Sequence, residues 1–224
     1  MKHRNIVLLI LLILIADQAL KVWIKTSFYY HEERMILGSW FRLYFIENEG
    51  MAYGWKFGGE WGKLALTLFR LIAVVFGTFY LKRIIDRKYH KGFIICAALI
   101  YAGALGNLID SMFYGMIFSG SEIGGPLAVM FPEQGYASFL HGHVVDMLYF
   151  PIIENVILPN WVPFIGGSPF TFFQPIFNLA DAAISTGILT ILFFQKRFFT
   201  EEAEELPSPT IETNTSVTDQ SEVL

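Results

Sequence analysis

Charged residues are scarce in this chain: they make up 16% of its 224 residues, whereas hydrophobic residues make up 54%. So small a charged fraction beside so large an apolar one lies outside the range of soluble globular domains. The sequence therefore indicates an integral membrane protein, and we expect no nucleic-acid partner.

Cysteine occurs once, as Cys96 within an apolar run, which excludes an intramolecular disulfide. The first apolar run, 6–24, follows Lys2 and Arg4 and resembles a secretory signal peptide. It has no clear small-x-small cleavage site, and it is longer than the ~7 to 15 residues of a signal-peptide core. We interpret it as a retained helix.

Four apolar runs are each near the ~20 residues that a membrane-spanning helix needs. The predicted fold class is an all-α membrane protein, a four-helix transmembrane bundle with a small extracytoplasmic β-sheet and loop subdomain. We expect one membrane domain over residues 1–197, followed by an acidic, disordered cytoplasmic tail over 198–224. The predicted helices are 6–24, 64–81, 92–114 and 173–194, and the outer loops are 25–63 and 115–172.

Lys and Arg are missing from the whole stretch between Gly92 and Gln195. Cytoplasmic segments are enriched in these residues, so the connection between the third and fourth helices is predicted to be translocated. Both termini are then cytoplasmic, as are the basic residues Lys2, Arg4, Lys82, Arg83, Arg87, Lys88, Lys91, Lys196 and Arg197. In the first outer loop, Trp40–Asn48 is rich in aromatic residues and predicts a strand.

Polar side chains interrupt three of the apolar runs. At ~1.5 Å per helical residue, they fall at a similar depth in the outer part of the membrane. Asp17 and Lys21 are spaced i, i+4 on one helical face. Buried polar residues of this kind can simply fasten a bundle together through ion pairs, but an ionisable group at membrane depth is also a candidate functional site. The set is Asp17, Lys21, Asn107, Asp110, Asn178 and Asp181.

Asp146 is another carboxylate in an apolar setting, because it follows two valines and precedes Met-Leu-Tyr-Phe near the outer boundary. Two carboxylates brought within a few ångströms cannot both ionise, so they share one proton. One can then act as a base towards water and the other as an acid, as in aspartic proteases. Asp146 is therefore the candidate partner of Asp181.

Five short motifs now identify a resemblance. In chain order they resemble the lipoprotein signal peptidases, the bacterial signal peptidase II family of integral membrane aspartyl proteases. They occur on four helices of the expected orientation, between about Ala16 and Ile184. The motifs are Asp17-Gln18 with Lys21, Asn48-Glu-Gly50-Met-Ala-Tyr53, Gly103-Ala-Leu-Gly106-Asn107 with Asp110, Val144-Val145-Asp146, and Phe177-Asn178-Leu-Ala180-Asp181.

The resemblance implies that Asp146 and Asp181 form the catalytic dyad. The substrate would be a diacylglyceryl-modified prolipoprotein, cut just before its lipidated cysteine at the periplasmic face of the bacterial inner membrane. The first outer loop would be the family's β-cradle. No metal or cofactor is implied, and we expect a monomer among membrane lipids. The substrate-binding and supporting residues would be Asp17, Lys21, Asn48, Gly50, Asn107, Asp110 and Asn178.

The chain departs from the family pattern at two places. The family usually has Arg directly after the helix-3 Asp, where this chain has Ser111. Arg70, in the second helix, could supply a substitute cation. The stretch 118–139 also looks long for the family, which suggests a lid or an extra surface element.

Two other functions fit parts of the sequence. His141 and His143, with Asp146, could ligate a metal, which would make the protein an intramembrane metalloprotease. No His-Glu-x-x-His helix accompanies them. Alternatively, Asp17, Asp110 and Asp181 could relay protons or bind an ion in a small transporter or assembly factor.

Overall fold

The computed structural model describes residues 3–48, 59–161, 163, 166–172 and 174–200. Four long helices occur in these residues, and each is long and apolar enough to cross a bilayer. The third one continues beyond its regular part, Lys91–Ile109, through a π-helical turn, Asp110–Tyr114, to a last turn, Gly115–Ile117. The helices are α1 (His3–Ser27), α2 (Gly59–Asp86), α3 (Lys91–Ile117) and α4 (Leu179–Thr200).

Large apolar side chains cover the outside of the bundle. Leu12, Phe79 and Phe193 are among the most exposed, each with more than half of its surface uncovered by protein. A soluble protein would bury such residues, whereas a bilayer solvates them as well as a core does. The outer surface is therefore lipid-facing.

The α-helices run up and down, so that the helix ends separate into two groups. His3 of α1 lies 2.8 Å from Asp86 at the end of α2, and Phe198 of α4 contacts Phe93 near the start of α3. This end carries the N-terminus and is rich in basic residues. The opposite end carries the sheet.

α3 lies at the centre and contacts the three other helices. Small residues permit this contact, because a Cβ atom at Gly103 would lie 2.3 Å from the carbonyl oxygen of Ala180 in α4. A Cβ atom at Gly106 would lie 2.8 Å from the carboxylate of Asp17 in α1. Close approach through small residues is the usual way in which membrane helices pack.

The described part of the chain contains six strands: β1 (Glu33–Leu37), β2 (Phe41–Asn48), β3 (Val144–Tyr149), β4 (Ile153–Ile157), β5 (Pro169–Phe172) and β6 (Ile176–Phe177). Four of them form an antiparallel sheet in the order β1-β2-β3-β6, and β4 pairs with β5 in a separate hairpin. In the β2–β3 register, Ile46 pairs with Asp146 and Glu47 pairs with Val145. Since neighbouring residues of a strand point to opposite faces, Asp146 and Glu47 lie on different faces of the sheet.

Two apolar clusters fill the interior at different levels. One, near the N-terminal end, contains Ile6, Ile84 and Ile94. The other packs the helices against the sheet and is formed by Ile24, Phe28, Phe45, Tyr114, Phe118, Val145 and Met147. The buried residues Asp17 and Lys21 lie between Ile10 and Ile24 along α1. A polar layer therefore separates the two apolar clusters.

The prediction of four membrane helices with a small sheet is confirmed, but the start of the last helix was wrong. It begins at Leu179 and not near Phe173, a residue outside the described part. The two residues Ile176–Phe177 pair with β3 as β6 instead. Asn178 ends that pairing and caps the helix, so it is not a helical residue. The predicted tail beyond Thr200 lies outside the described residues.

Candidate active site

The two predicted dyad residues come from different elements at the sheet end of the bundle. Asp146 is the third residue of β3 and is almost completely buried. Asp181 is the third residue of α4 and is half-buried. A carboxylate in the first turn of a helix faces the positive end of the helix dipole.

Asn178 connects these two carboxylates. Its side-chain nitrogen donates to Oδ1 of Asp146 at 2.7 Å, and its Oδ1 accepts from the backbone N–H of Asp181 at 2.9 Å. The backbone N–H of Asn178 lies 3.4 Å from Oδ2 of Asp181 and completes a reciprocal pair. This arrangement is a capping box, in which the residue before the helix and the third helical residue satisfy each other's N–H groups.

Each carboxylate accepts from a second amide. Asn107 of α3 donates to Oδ1 of Asp181 at 2.8 Å, and Asn48 of β2 donates to Oδ2 of Asp146 at 3.3 Å. Three asparagines from three separate regions therefore hold two acids. The structure brings these five predicted residues together.

The environment of Asp146 favours its protonated form. Burial raises the pKa of this carboxyl, and the negative charge of Asp181 raises it further. Hydrogen bonds from Asn48 and Asn178 and the charge of Lys21 oppose the shift, and the resulting pKa is about 7. A carboxyl with such a pKa carries a proton in a large fraction of molecules near neutral pH.

Lys21 is the centre of a buried ionic cluster beside the dyad. Its Nζ lies 2.8 Å from Asp17 and 2.7 Å from Asp110, and it donates to Asn107 Oδ1 at 2.9 Å. The four residues are almost completely buried. Because Asn107 also donates to Asp181, the cluster fixes the direction of that amide. The polar residues of α1 and α3 were predicted to lie at a similar depth, and in the structure Lys21 contacts both Asn107 and Asp110 directly.

Asp17 also links α1 to the start of α4. Its Oδ1 accepts from the backbone N–H of Ala180 at 2.9 Å. The first N–H groups of a helix have no intrahelical acceptor, so a buried carboxylate at this place satisfies one of them. Asp17 thereby fixes the helix turn that carries Asp181.

Two further members of this network were not assigned to the site from the sequence, although Gln18 is part of the first motif. Gln18 donates to Oδ1 of Asp110 at 2.8 Å and accepts from the Tyr114 hydroxyl at 3.1 Å. Tyr114 ends the π-helical turn, a feature that often occurs at functional sites. An amide beside Asp17 and a tyrosine four residues after Asp110 were the available signals.

Arg70 reaches the position at which the chain departs from the family. Its Nη1 donates to the Ser111 hydroxyl at 3.0 Å, and that hydroxyl donates to the Asn107 carbonyl at 2.9 Å. Asp110, for which Arg70 was considered as a substitute cation, pairs with Lys21. Because Asn107 binds Asp181, hydrogen bonds through Ser111 and Asn107 connect the guanidinium to the dyad.

The opposite face of the β2–β3 ladder carries a separate buried cluster. Lys25 of α1 pairs with Glu47, and both contact the hydroxyl of Ser121 at 3.0 Å. His143 lies 3.3 Å from the other oxygen of Glu47. Burial raises the pKa of Glu47, but the His143 hydrogen bond and the Lys25 charge together bring it below its ordinary value.

The predicted metal ligands do not converge. His143 contacts Glu47 on the face opposite to Asp146, and His141 contacts Ser138 and the Phe139 carbonyl. Within the ranges described above, no group of three His, Cys, Asp or Glu side chains could hold a metal. Gly50, the remaining predicted site residue, lies outside those ranges.

Comparisons with known proteins identify the family. A family profile described as signal peptidase (SPase) II matches residues 9–197. A lipoprotein signal peptidase of Porphyromonas gingivalis (strain ATCC 33277) is 46% identical over 186 residues, which are 82% of this chain and 79% of the relative. One from Amoebophilus asiaticus (strain 5a2) is 35% identical over 185 residues, or 81% of this chain and 73% of the relative. The chain belongs to the signal peptidase II family.

Two solved bacterial membrane enzymes, both determined by the in meso method, share the fold. The first, at 2.3 Å resolution, covers 92% of this chain and 94% of its own, with a TM-score of 0.58 at 19% identity. The second, at 1.9 Å resolution, aligns with 86% of this chain over 93% of its own length, with a TM-score of 0.55 at 20% identity. These structures show the fold, while the family profile and the curated relatives confirm the resemblance predicted from the motifs. The chain is a multi-pass bacterial membrane protein.

Proposed function

We propose that this chain is a membrane aspartyl endopeptidase that removes the signal peptide from diacylglyceryl-modified prolipoproteins by cleaving before the lipidated cysteine. Family membership supports the substrate class. The observation that carries the aspartyl mechanism is the Asn178 amide, which binds Asp146 and caps the helix turn of Asp181. Two neighbouring acids, one buried and one half-buried, that are held by one amide are suited to sharing a proton.

The roles of the two acids follow from their surroundings. Asp146, with its raised pKa, holds the proton, and Asp181, which is more exposed, takes a proton from the attacking water. The resulting hydroxide adds to the scissile carbonyl while Asp146 donates its proton to the carbonyl oxygen. Asp181 then gives its proton to the leaving nitrogen as the C–N bond breaks, while Asp146 takes a proton from one hydroxyl of the tetrahedral intermediate, so both acids return to their starting states. The products are an amine and a carboxylic acid, which ionises in water.

The site lies at a suitable depth for a lipid-anchored substrate. Asp181 is in the first turn of a membrane helix, and Asp146 is in the sheet at the end of the bundle. A diacylglyceryl cysteine holds its own backbone at the boundary between acyl chains and headgroups. We infer that this boundary is on the periplasmic side, because the opposite helix ends carry the basic residues.

The supporting residues have separate roles in this proposal. Asn107 and Asn48 orient the two acids, while Lys21 pairs with both Asp17 and Asp110 and so offsets part of the cost of burying them. Arg70, held by Ser111, supplies a positive charge on the side of Asp181. Gly50 stays a predicted substrate-binding residue.

A cleavage assay with a matched substrate pair tests the function. Purified protein in detergent or vesicles is incubated with a diacylglyceryl-modified precursor and with the same precursor left unmodified. We expect a product that begins with the lipidated cysteine, identified by mass spectrometry, from the modified precursor alone. Equal cleavage of both would contradict the lipid-directed specificity, and cleavage of neither would contradict the proposed function.

Repeating the cleavage assay in EDTA distinguishes the aspartyl mechanism from metal-dependent proteolysis. We expect cleavage to continue in EDTA, because the proposed acid and base are both carboxyl groups. Activity that is lost in EDTA and restored by zinc would overturn the aspartyl mechanism.

A further inference from the structure

An irregular segment returns along the end of α3 into the level of the membrane. We call residues 119–142 the arm. Its second half donates backbone hydrogen bonds of 2.7 to 3.2 Å to carbonyls of residues 111–118 at the helix end, and from Tyr136 to Gly142 the acceptors run back along the helix from Phe118 to Ser111. The donor and acceptor pairs are Phe131 with Ile117, Tyr136 with Phe118, Ala137 with Gly115, Leu140 with Met112, and Gly142 with Ser111.

Non-helical backbone at membrane depth is costly when its N–H and C=O groups lack hydrogen-bond partners, and these hydrogen bonds supply such partners. Such backbone is tolerated only where its polar groups are satisfied by protein, and the last carbonyls of a helix lack partners of their own. Five N–H groups of the arm and five carbonyls at the end of α3 satisfy one another in this way. Close contact requires glycine, since a Cβ atom at Gly142 would lie 2.1 Å from the Asp110 carbonyl oxygen, and one at Gly135 would lie 2.2 Å from that of Gly115.

The depth of the arm can be measured along α3. The Phe139 ring contacts the Phe113 ring, with 5.6 Å between centroids. Phe113 precedes the helix end at Ile117 by four residues, or about 6 Å at ~1.5 Å per residue. Phe139 therefore lies below the helix end, inside the span.

The outer side of the arm is apolar and exposed. Phe131 is 76% exposed, Val129 59% and Phe139 45%, and Phe113 of α3, which contacts Phe139, is itself partly exposed. Phe131 has a φ of 57°, a backbone conformation that bulky residues rarely adopt. The exposed surface of the arm is thus continuous with the lipid-facing surface of α3.

We propose that the arm is a re-entrant lipid-binding element, with Phe139 among the acyl chains and Phe131 and Val129 at the boundary with the headgroups. The occupant is bilayer lipid, because the exposed rings adjoin a helix face that is already at membrane depth. This role does not depend on the proposed proteolysis. The arm also leads directly into His143 and β3, so its lipid contact anchors the strand that carries Asp146.

Site-directed spin labelling tests this proposal. Cys96 is buried and is the single cysteine, so Cys96→Ala gives a background in which Phe139→Cys and Phe131→Cys carry one nitroxide each. Glu133→Cys, at an exposed position of the same arm, is the matched control. In phosphatidylglycerol–phosphatidylethanolamine vesicles, we measure relaxation by oxygen, which concentrates in the bilayer, and by a polar nickel chelate.

We expect the ratio of oxygen to nickel accessibility at 139 and 131 to exceed the ratio at 133 several-fold. Equal ratios at the three positions would overturn the proposal, and would also be the result if the patch instead receives a protein partner that is absent from the vesicles. If the protein labelled at 139 does not insert, Phe131→Cys and Val129→Cys, each made in the same background, decide the question. A precursor-cleavage assay on each labelled protein reports separately on the proteolytic function.

Discussion

The side-chain nitrogen of Asn178 lies 2.7 Å from a carboxylate oxygen of Asp146, while the oxygen of the same amide caps the helix turn of Asp181. One side chain therefore sets the position of β3 relative to the first turn of α4. Rotation of this amide would break both contacts. Its two functions can be separated by substitution.

Asn178→Ser retains a capping oxygen but is too short to reach Asp146, whereas Asn178→Ala loses both contacts. We expect both variants to lose most of their cleavage activity. The alanine variant should also lose about 0.5–2 kcal/mol of stability, the usual loss when a helix cap is removed, while the serine variant should stay close to the original. Thermal unfolding in detergent and precursor cleavage give the two readouts. Full activity in the serine variant would contradict the role of the amide in binding Asp146.

Asn48→Leu tests the electrostatic account of Asp146. The pKa of this carboxyl is about 7, above its ordinary value of 3.8, so activity that needs its proton should decline as the pH rises through about 7. The Asn48 hydrogen bond favours the ionised form. Its removal should raise the pKa and move the alkaline limb of the kcat/KM profile to higher pH. A shift to lower pH would contradict the assignment.

The same pKa predicts how stability depends on pH. A carboxyl whose pKa is raised on folding makes ionisation more costly in the folded state than in the unfolded one. Its contribution to stability therefore decreases as the pH rises from about 4 to about 7. Asp146→Asn should flatten this part of the stability profile, measured by thermal unfolding. An unchanged slope in the variant would assign the pH dependence to other groups.

Lys21→Met leaves Asp17 and Asp110 buried without their shared cation. Removing one partner of a buried ion pair costs about 3–5 kcal/mol, so we expect severe destabilisation, read as a lower unfolding temperature. Lys82→Met makes the same chemical change at an exposed position and should have little effect. Equal unfolding temperatures for the two variants would show that the cluster contributes little to the fold.

Arg70→Met removes the positive charge that Ser111 holds near Asp181. We expect kcat to fall about tenfold, equivalent to about 1.4 kcal/mol, while Arg70→Lys retains part of the activity. Adding Ser111→Arg to Arg70→Met places a guanidinium at the same contact from α3 and should restore cleavage. Unchanged activity and stability in Arg70→Met would eliminate this role.

The helices and their polar layer could be predicted because hydropathy and helical rise are local properties. Asp17, Lys21, Asn107 and Asp110 were placed at one depth from their distance to the basic helix ends. Depth alone does not specify contacts. Lys21 could have paired only with Asp17 of its own helix, but in the structure it also binds Asp110. Arg70 had been considered as the cation for Asp110.

The strand that carries Asp146 could not be recognised from its own sequence. Val144–Tyr149 is almost continuously apolar, so it has no period-2 pattern that would distinguish a buried strand from a short helix. Its pairing partner, β2, lies about a hundred residues earlier. The start of α4 was misplaced for a related reason, because no charged residue separates the strands from the helix.

Paired Asp-to-Asn variants test the central claim, that Asp146 and Asp181 act as one catalytic unit. The measurement is the rate of cleavage of a lipidated precursor by Asp146→Asn, Asp181→Asn and the double variant, each shown to be inserted and folded. Residues that act as a unit are not additive, so each single variant should lose at least about a thousandfold and the double variant little more. Substantial cleavage by either single variant would contradict the account.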